Sequence, residues 1–399
     1  MVAFVYCSFG RTDEKMNGSD LQASVMKSVQ PLVKLSQVCG ITYFNKKIRR
    51  KKMIIAYRAF IMLILLSCLV HEIPTIRYWV GKNKKLHAML TMVETSLRWM
   101  ILLINSVRNI SCNGEINEII CNLTMLRVSF SKKSLRRIYR FQILQLVFNV
   151  IILSCYMIIG HHFVWKNVNN KWYTSLIYII TEFYIAFGNI QFVSFLFLLR
   201  EYYKKLNAGL MDLKKGIKLG RWSIGYDTEH AIKQIRECRH SHLELFSVAK
   251  KLNKCYSIQV LLFVVLSMVE IMYSLTSLVS YITSTGYRTS ELWIRRPYLA
   301  MCHLFSWSGY YVSYLFQIVG FCDFTATESR KSSLIVHELM NKYPNPEMER
   351  ELELFSVQII KNDTKFSACG FFTLSFPLLH SIAAAVTAYL IAFVSLRDE

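Results

Sequence analysis

Proline and glycine are scarce, at six and 15 residues in a chain of 399, which excludes collagenous and low-complexity disordered readings. Acids are few too, 26 against 48 Lys and Arg. Eleven cysteines occur without a C-x-x-C pair or a regular framework. Most lie in apolar runs (Cys68, Cys155, Cys302) or in basic connections (Cys112, Cys121, Cys238), so reduced, packed thiols are expected. The start, MVAFVYCSFGRTDEK, has no compact apolar core followed by a small-residue cleavage site, and no cleaved signal is expected. G-x-S-x-G, H-E-x-x-H and a phosphate-binding Gly loop are missing, and one His161-His162 doublet does not supply the paired axial ligands of a membrane oxidase. No enzyme, cofactor or metal is expected.

What the chain has is apolar length. Hydrophobic residues make up 53% and aromatic ones 14%, with a mean hydropathy of +0.29. A transmembrane helix needs about 20 mostly apolar residues. Met53–Val70, Leu86–Val107, Phe141–Trp165, Trp172–Leu199, Tyr256–Thr283, Pro297–Phe321 and Phe376–Leu396 qualify, giving seven spans in an all-α polytopic membrane protein. The second holds Glu94 and Arg98, four apart with the acid first, so they share a face and can neutralise each other.

The net charge of +22 sits between these runs, which points to basic loops against lipid and not to nucleic acid. Sorting Lys and Arg by alternate compartments places 36 in one set (to Lys52, Arg108–Arg140, Arg200–Cys255, Asp323–Lys365) and 10 in the other. Basic residues concentrate in cytoplasmic segments, so the N-terminus is expected inside and the C-terminus outside, the reverse of a G-protein-coupled receptor. NKKIRRKK, Asn45 to Lys52, reads as a cytoplasmic stop against anionic lipid. The sequons at Asn17, Asn109, Asn122 and Asn362 all fall on the cytoplasmic side, and no glycan is expected.

The stretch KFSACGFFTLSFPLLHSIAAAVTAYLIAFVSL, Lys365 to Leu396, closely resembles the signature region of insect gustatory receptors. That family ends in Thr-Tyr, five apolar residues and Gln-Phe. Here Tyr389 and Leu390–Val394 match, while Ala388, Ser395 and Leu396 stand for the Thr, Gln and Phe. ACGFFTL, Ala368 to Leu374, is the fuller match. The resemblance implies a ligand-gated, weakly selective cation channel in the plasma membrane of chemosensory neurons. It implies a homotetramer, with hetero-assembly open, whose last helices line a central pore. It also implies a small-molecule tastant in a pocket between the second and sixth spans, open to the outside, and an anchor of cytoplasmic helix extensions. Sugar-receptor members carry an acid after the motif Tyr; Leu390 there leans toward bitter plant compounds. A sugar-type or odorant-type receptor of the same superfamily stays open. So does, across classes, a transporter or an inverted receptor without a pore.

The expected organisation is a cytoplasmic segment (1–52), six spans with the pocket (53–321, with a cytoplasmic helical extension at 200–255), an anchor (322–375), and a pore helix with an outer tail (376–399). Small residues in SIAAAVTA permit close helix approach or a narrow lumen. Ala384, Ala388, Ile391 and Ser395 share one uncharged stripe, so such a pore would close by drying. Ser395 and Leu396 fall where the family places its gate, and Tyr389 is expected to couple pocket to pore or to be an ordinary buried tyrosine.

Unsatisfied polar groups in hydrocarbon are costly, so polar and aromatic residues in outer span halves are ligand candidates. Trp307 and His303, four apart on one face, lead. Glu182, Glu270, Tyr178, Tyr273, Tyr310, Tyr156 and Trp99 follow, with Tyr311 nearby. The alternative for the acids is structural: Glu94 with Arg98, and Glu182 or Glu270 across helices to Arg98. His161, His162, Trp165 and Trp172 suit an outer aromatic belt.

In the cytoplasmic parts, Ile232, Ile235, Leu243 and Phe246 recur at helical spacing. CRHSH, Cys238 to His242, reads as a solvated face and not a metal site. YPNP, Tyr343 to Pro346, breaks a helix. The amphipathic MERELELFSVQII after it is expected to meet another subunit through Leu352 and Phe355.

Overall fold

The computed structural model describes residues 85–111, 113–126, 130–160, 172–218, 225–283, 297–341 and 345–395, together with the helical residues Gln30 and Leu63. The helices are α1 (Lys85–Ser111), α2 (Asn113–Met125), α3 (Lys132–Gly160), α4 (Trp172–Lys218), α5 (Gly225–Thr283), α6 (Pro297–Met340), α7 (Pro346–Lys361) and α8 (Phe376–Ser395). A two-strand hairpin, β1 (Ser367–Ala368) and β2 (Phe372–Thr373), precedes α8. The rest of the first expected span, the basic run before it, His161, His162, Trp165 and Leu396 lie outside the described residues.

Among the described residues, Lys132–Cys155, Ile180–Gly216, Thr228–Val279 and Phe376–Ser395 are long and apolar enough to cross a membrane. Six of the seven expected spans fall on α1, α3, α4, α5, α6 and α8; Trp172, Thr283, Pro297 and Phe376 are helix ends as expected, while α4 and α6 run on past Leu199 and Phe321 and α5 starts well before Tyr256. α1 carries Glu94 and Arg98 inside its span, and its burial shows why composition understates it. Glu94, Arg98, Ile101, Asn105 and Arg108 form its buried stripe, while Met92, Met100, Leu103 and Val107 are exposed. Polar residues inside and apolar ones outside is the inverse of a water-soluble helix and what a lipid-facing helix requires. α3 repeats the pattern, burying Gln142, Gln145 and Asn149 and exposing Leu144, Val147, Phe148 and Ile151.

α4 has 47 residues and α5 has 59, about 70 and 88 Å at 1.5 Å per residue. Hydrocarbon is about 30 Å thick, so much of each helix projects beyond it. α4 packs on α6, α5 on α1, α4 and α6, α2 on α5, and α3 on α4 and α6. In the projecting part Asn207 Nδ2 donates to the Glu328 carbonyl (2.8 Å) and Ser332 Oγ to Asn207 Oδ1 (2.7 Å). Tyr202 OH donates to the Leu123 carbonyl at 2.5 Å.

α6 ends at Met340 before the expected break, and Asn345 caps α7, its Oδ1 accepting from the Glu347 and Met348 amides at 3.0 and 3.3 Å. Pro346 at the first helical position lacks only an amide hydrogen that would go unpaired there. Two expectations for this region are corrected. Leu352 and Phe355 do not face another subunit: both are buried in their own chain, at 1% and 0% exposure. The stripe Met348, Leu352, Phe355, Ile359 follows helical spacing, and α7 lies on α5 and α6. The opposite face, Leu354, Val357 and Ile360, is the exposed one. CRHSH is likewise not a wholly solvated face. His242 is fully buried, its ring edge-on to Tyr203 and to Phe355, each at 5.6 Å. Its Nε2 lies 3.5 Å from Ser329 Oγ.

ACGFFTL forms the hairpin. Ser367 pairs with Thr373 and Ala368 with Phe372, and the Phe371 amide donates to the Ala368 carbonyl at 3.0 Å. Three residues, Cys369 to Phe371, join the strands, and the two central positions of the turn from Ala368 to Phe371 both take positive φ. Cys369 has φ 52° and Gly370 φ 79°. The Ser367 amide donates to Asn253 Oδ1 at 3.0 Å, tying the hairpin to α5.

A buried charge cluster and a sparsely covered last helix

Arg98 gathers three acids from three helices. Its Nη2 lies 2.5 Å from Glu94 Oε1 one turn back on α1 and 2.5 Å from Glu270 Oε1 on α5, and its Nε lies 3.0 Å from Glu182 Oε1 on α4. All four residues are buried. α6 closes the cluster. Trp307 Nε1 donates to Glu270 Oε2 at 2.7 Å, and Tyr311 OH donates to Glu182 Oε1 and Oε2 at 3.3 and 3.4 Å. The guanidinium carbon stands 5.4 Å from the Trp307 ring centre, a cation–π approach.

The aromatic wall follows from spacing. Trp307, Tyr310, Tyr311 and Tyr314 lie on one α6 face. Trp307 stacks on Tyr310 at 5.6 Å and meets Tyr311 edge-on at 5.0 Å, and Phe263 of α5 lies 6.0 Å from Tyr311. Each carboxylate therefore has a cation or a donor, as buried acids require. The arrangement carries no nucleophile–base pair. It offers rings and hydrogen-bonding carboxylates, and its contacts tie α1, α4, α5 and α6 to one another.

The structure brings Trp307, Glu182, Glu270 and Tyr310 together here, with buried Trp99 next to Arg98 on α1 and half-buried Tyr273 three residues beyond Glu270. Tyr156, Tyr178 and His303 belong to α3, α4 and α6, but their side chains lie outside the described residues. For the acids, the cross-helix pairing left open by the sequence is realised twice over. Sequence reasoning missed Arg108, assigned above to a basic loop: it is buried on α1, with its Nη1 donating to Gln259 Oε1 of α5. The signal was available, since Glu94, Arg98, Ile101, Asn105 and Arg108 share one helical stripe.

α8 packs on α5 and α6, the helices that carry Glu270 and Trp307. Phe376 meets Phe324 of α6 edge-on at 5.6 Å. Only Ile382 and Val386 of α8 are buried. Ala384, Ala388, Ile391 and Ser395 are all exposed, Ile391 at 63%. The Ser395 hydroxyl donates to the Ile391 carbonyl at 3.0 Å. Tyr389 is half-buried and stacks on Phe393 of its own helix, ring centres 6.5 Å apart.

The family model for the 7tm chemosensory receptor matches residues 29–394. Two curated relatives from Drosophila melanogaster align locally. The gustatory receptor for sugar taste 43a is 27% identical over 32% of this chain and 30% of its own length. The gustatory and pheromone receptor 32a is 26% identical over 39% of this chain and 32% of its own length. The chain thus matches about a third of the length of each. Among solved structures, the insect olfactory receptor OR5 from Machilis hrabei in complex with eugenol superposes with a TM-score of 0.66, covering 96% of this chain and all of that one at 11% identity. A second structure of the same receptor gives 0.68, covering 94% of this chain and 99% of that one. At such identity the likeness establishes the fold.

Proposed function

Because the chain belongs to the 7tm chemosensory receptor family, we propose that it is a gustatory receptor acting as a tastant-gated, non-selective cation channel. Seven spans run from a cytoplasmic N-terminus to an outer C-terminus, in the plasma membrane of chemosensory neurons. The assembly is a tetramer of this chain or of this chain with related subunits. The single observation that carries the reading is the junction of α5 and α6. Glu270 and Trp307 hold one end of the buried cluster, and the same two helices support α8.

In this reading the ligand enters from outside and competes for the Arg98 cluster. It gates only through binding the open arrangement better than the closed one. Four aromatic rings and several carboxylates favour an amphipathic or cationic compound, the chemistry of many bitter plant substances. Displacing Trp307 from Glu270 shifts α5 against α6 and moves α8. Four copies of α8 would surround the water path with Ala384, Ala388 and Ile391, which carry no charge, so the closed state is dry. Ser395 and Leu396 would form the outer mouth, with Tyr389 as the coupling residue. An exposed stripe of small residues suits close packing of α8 against its copies.

The test is calcium entry in cells expressing the chain, screened with alkaloids and sugars. One relative named for sugar taste makes sugars the necessary second arm. An alkaloid response whose half-maximal concentration rises at least tenfold in Trp307→Ala and Glu270→Gln is expected. Responses to sugars alone would replace the bitter assignment, and an alkaloid response unmoved by both variants would place the pocket elsewhere.

A further inference from the structure

One side of α3 changes character along its length. Lys133, Arg136, Arg137 and Arg140 are exposed and follow helical spacing. Leu144, Val147, Phe148 and Ile151 continue the same side, at 44 to 66% exposure. The opposite side, from Leu135 and Ile138 to Asn149 and Leu153, is the buried one. The cations therefore point the way the lipid-facing residues point, and not into the bundle.

Depth follows from the rise per residue. α3 is among the helices long and apolar enough to cross a membrane. Phe141 to Gly160 measures about 30 Å at 1.5 Å per residue, the thickness of the hydrocarbon. Arg140 thus stands at the hydrocarbon edge, and Lys133 about 10 Å beyond it. An ordinary headgroup layer is about 5–8 Å deep, so the basic stripe outreaches it.

α3 itself contains no Asp or Glu. A carboxylate from α4 meets the stripe: Glu201 Oε2 lies 3.5 Å from Arg137 Nη1, and its Oε1 lies 2.9 Å from Lys204 Nζ. Glu201 is buried, while the Arg137 side chain stays 54% exposed. The contact holds Arg137 in place at the surface and draws Lys204 toward the same edge. A guanidinium so placed can take two phosphate oxygens at once.

We propose that the N-terminal end of α3 is a site for a phosphoinositide headgroup with more than one phosphomonoester, with Lys133, Arg137 and Arg140 as its cations. The glycerol-linked phosphate lies level with Arg140, the ring phosphates reach toward Lys133, and the acyl chains run along Leu144, Val147 and Ile151. A small headgroup such as phosphatidylserine ends short of Lys133. The inference rests on the proposed orientation for its leaflet, the cytoplasmic one, where anionic lipid gathers. Binding needs neither current nor tastant, so its failure would leave the channel reading standing.

The experiment titrates the full-length protein, purified in detergent, with a short-chain fluorescent phosphatidylinositol bisphosphate followed by anisotropy. Saturable binding is expected, displaced at least tenfold less well by phosphatidylserine at equal charge or by soluble inositol trisphosphate. Each cation removed beside an anionic headgroup weakens binding about fivefold. Lys133→Gln with Arg140→Gln should therefore raise the half-saturating concentration at least tenfold, with an unchanged melting midpoint. If that pair lowers the midpoint, Arg140→Gln alone decides, with a loss of about fivefold expected. Lys215→Gln with Lys233→Gln removes the same charge from α4 and α5 and should change binding less than twofold. Wild-type affinity in the α3 variants, or an equal loss in the α4 and α5 pair, would overturn the site. Equal displacement by phosphatidylserine would reduce it to a general anionic surface, and equal displacement by inositol trisphosphate would make its ligand a soluble phosphate; either result overturns the proposal.

Discussion

Arg98 and Glu270 stand 172 positions apart in the chain and 2.5 Å apart in space. The contact joins α1 to α5 inside the bundle, and Trp307 of α6 holds the other oxygen of the same carboxylate. A buried ion pair of this kind is a poor source of net stability but is costly to break from one side.

Arg98→Met should therefore destabilise the fold by about 3–5 kcal/mol, because it strands buried carboxylates. Adding Glu270→Gln should recover part of that loss, so the double variant should lie above the sum of the singles. Thermal unfolding in detergent measures both. Additive losses would mean that the two residues do not interact.

His242 supplies a pH dependence of stability. Burial pulls its pKa from 6.5 to about 4, on the part of α5 preceding Tyr256 that carries Lys250, Lys251 and Lys254. Ser329, Tyr203 and Phe355 face the ring. The folded state keeps the imidazole neutral while the unfolded chain takes up a proton below 6.5. Stability from this group is thus intact above pH 6.5, falls as pH drops from 6.5 to 4, and levels off below. The full loss is about 3 kcal/mol. Between pH 7.5 and 5 the wild type should lose more stability than His242→Gln; parallel losses would contradict the assignment.

The two faces of α7 should separate folding from assembly. Phe355→Ala removes a fully buried ring and should cost about 3–5 kcal/mol. Val357→Asp changes the exposed face, where surface substitutions stay within about 0.5 kcal/mol. It should leave the subunit folded and lower the assembled fraction on native gels. Unaltered assembly would remove this face from the subunit contact.

Much of this was readable beforehand, for definite reasons. The i,i+4 spacing of Glu94 and Arg98 dictates their pairing, and the apolar runs placed most helix ends within a few residues. Glu182, Glu270 and Trp307 were selected because buried acids and indoles need partners. Pairing of one acid across helices to Arg98 is an alternative the sequence offers; that both acids and Trp307 meet there is not readable, since contacts between distant helices leave no periodicity. Arg108 was misplaced because hydropathy drops after Val107 while the helix continues to Ser111. For α7 the apolar stripe was legible but its partner was not: a face that suits another subunit equally suits the chain's own α5 and α6.

Orientation is open to a simple check. With the N-terminus inside, the sequons at Asn17, Asn109, Asn122 and Asn362 all face the cytoplasm. Glycosidase treatment of the cell-expressed protein should leave its mass unchanged. A mass shift would reverse the orientation proposed for the chain.

The most direct measurement is single-channel recording of ligand-evoked current from cells expressing this chain, in wild type and Ile391→Trp. Ile391 is exposed on α8, far from the Arg98 cluster in sequence. A reduced unitary conductance with an unchanged half-maximal ligand concentration is the predicted result if, as proposed, α8 lines the path and the pocket lies elsewhere. Unitary conductance equal to wild type would contradict the placement of the pore.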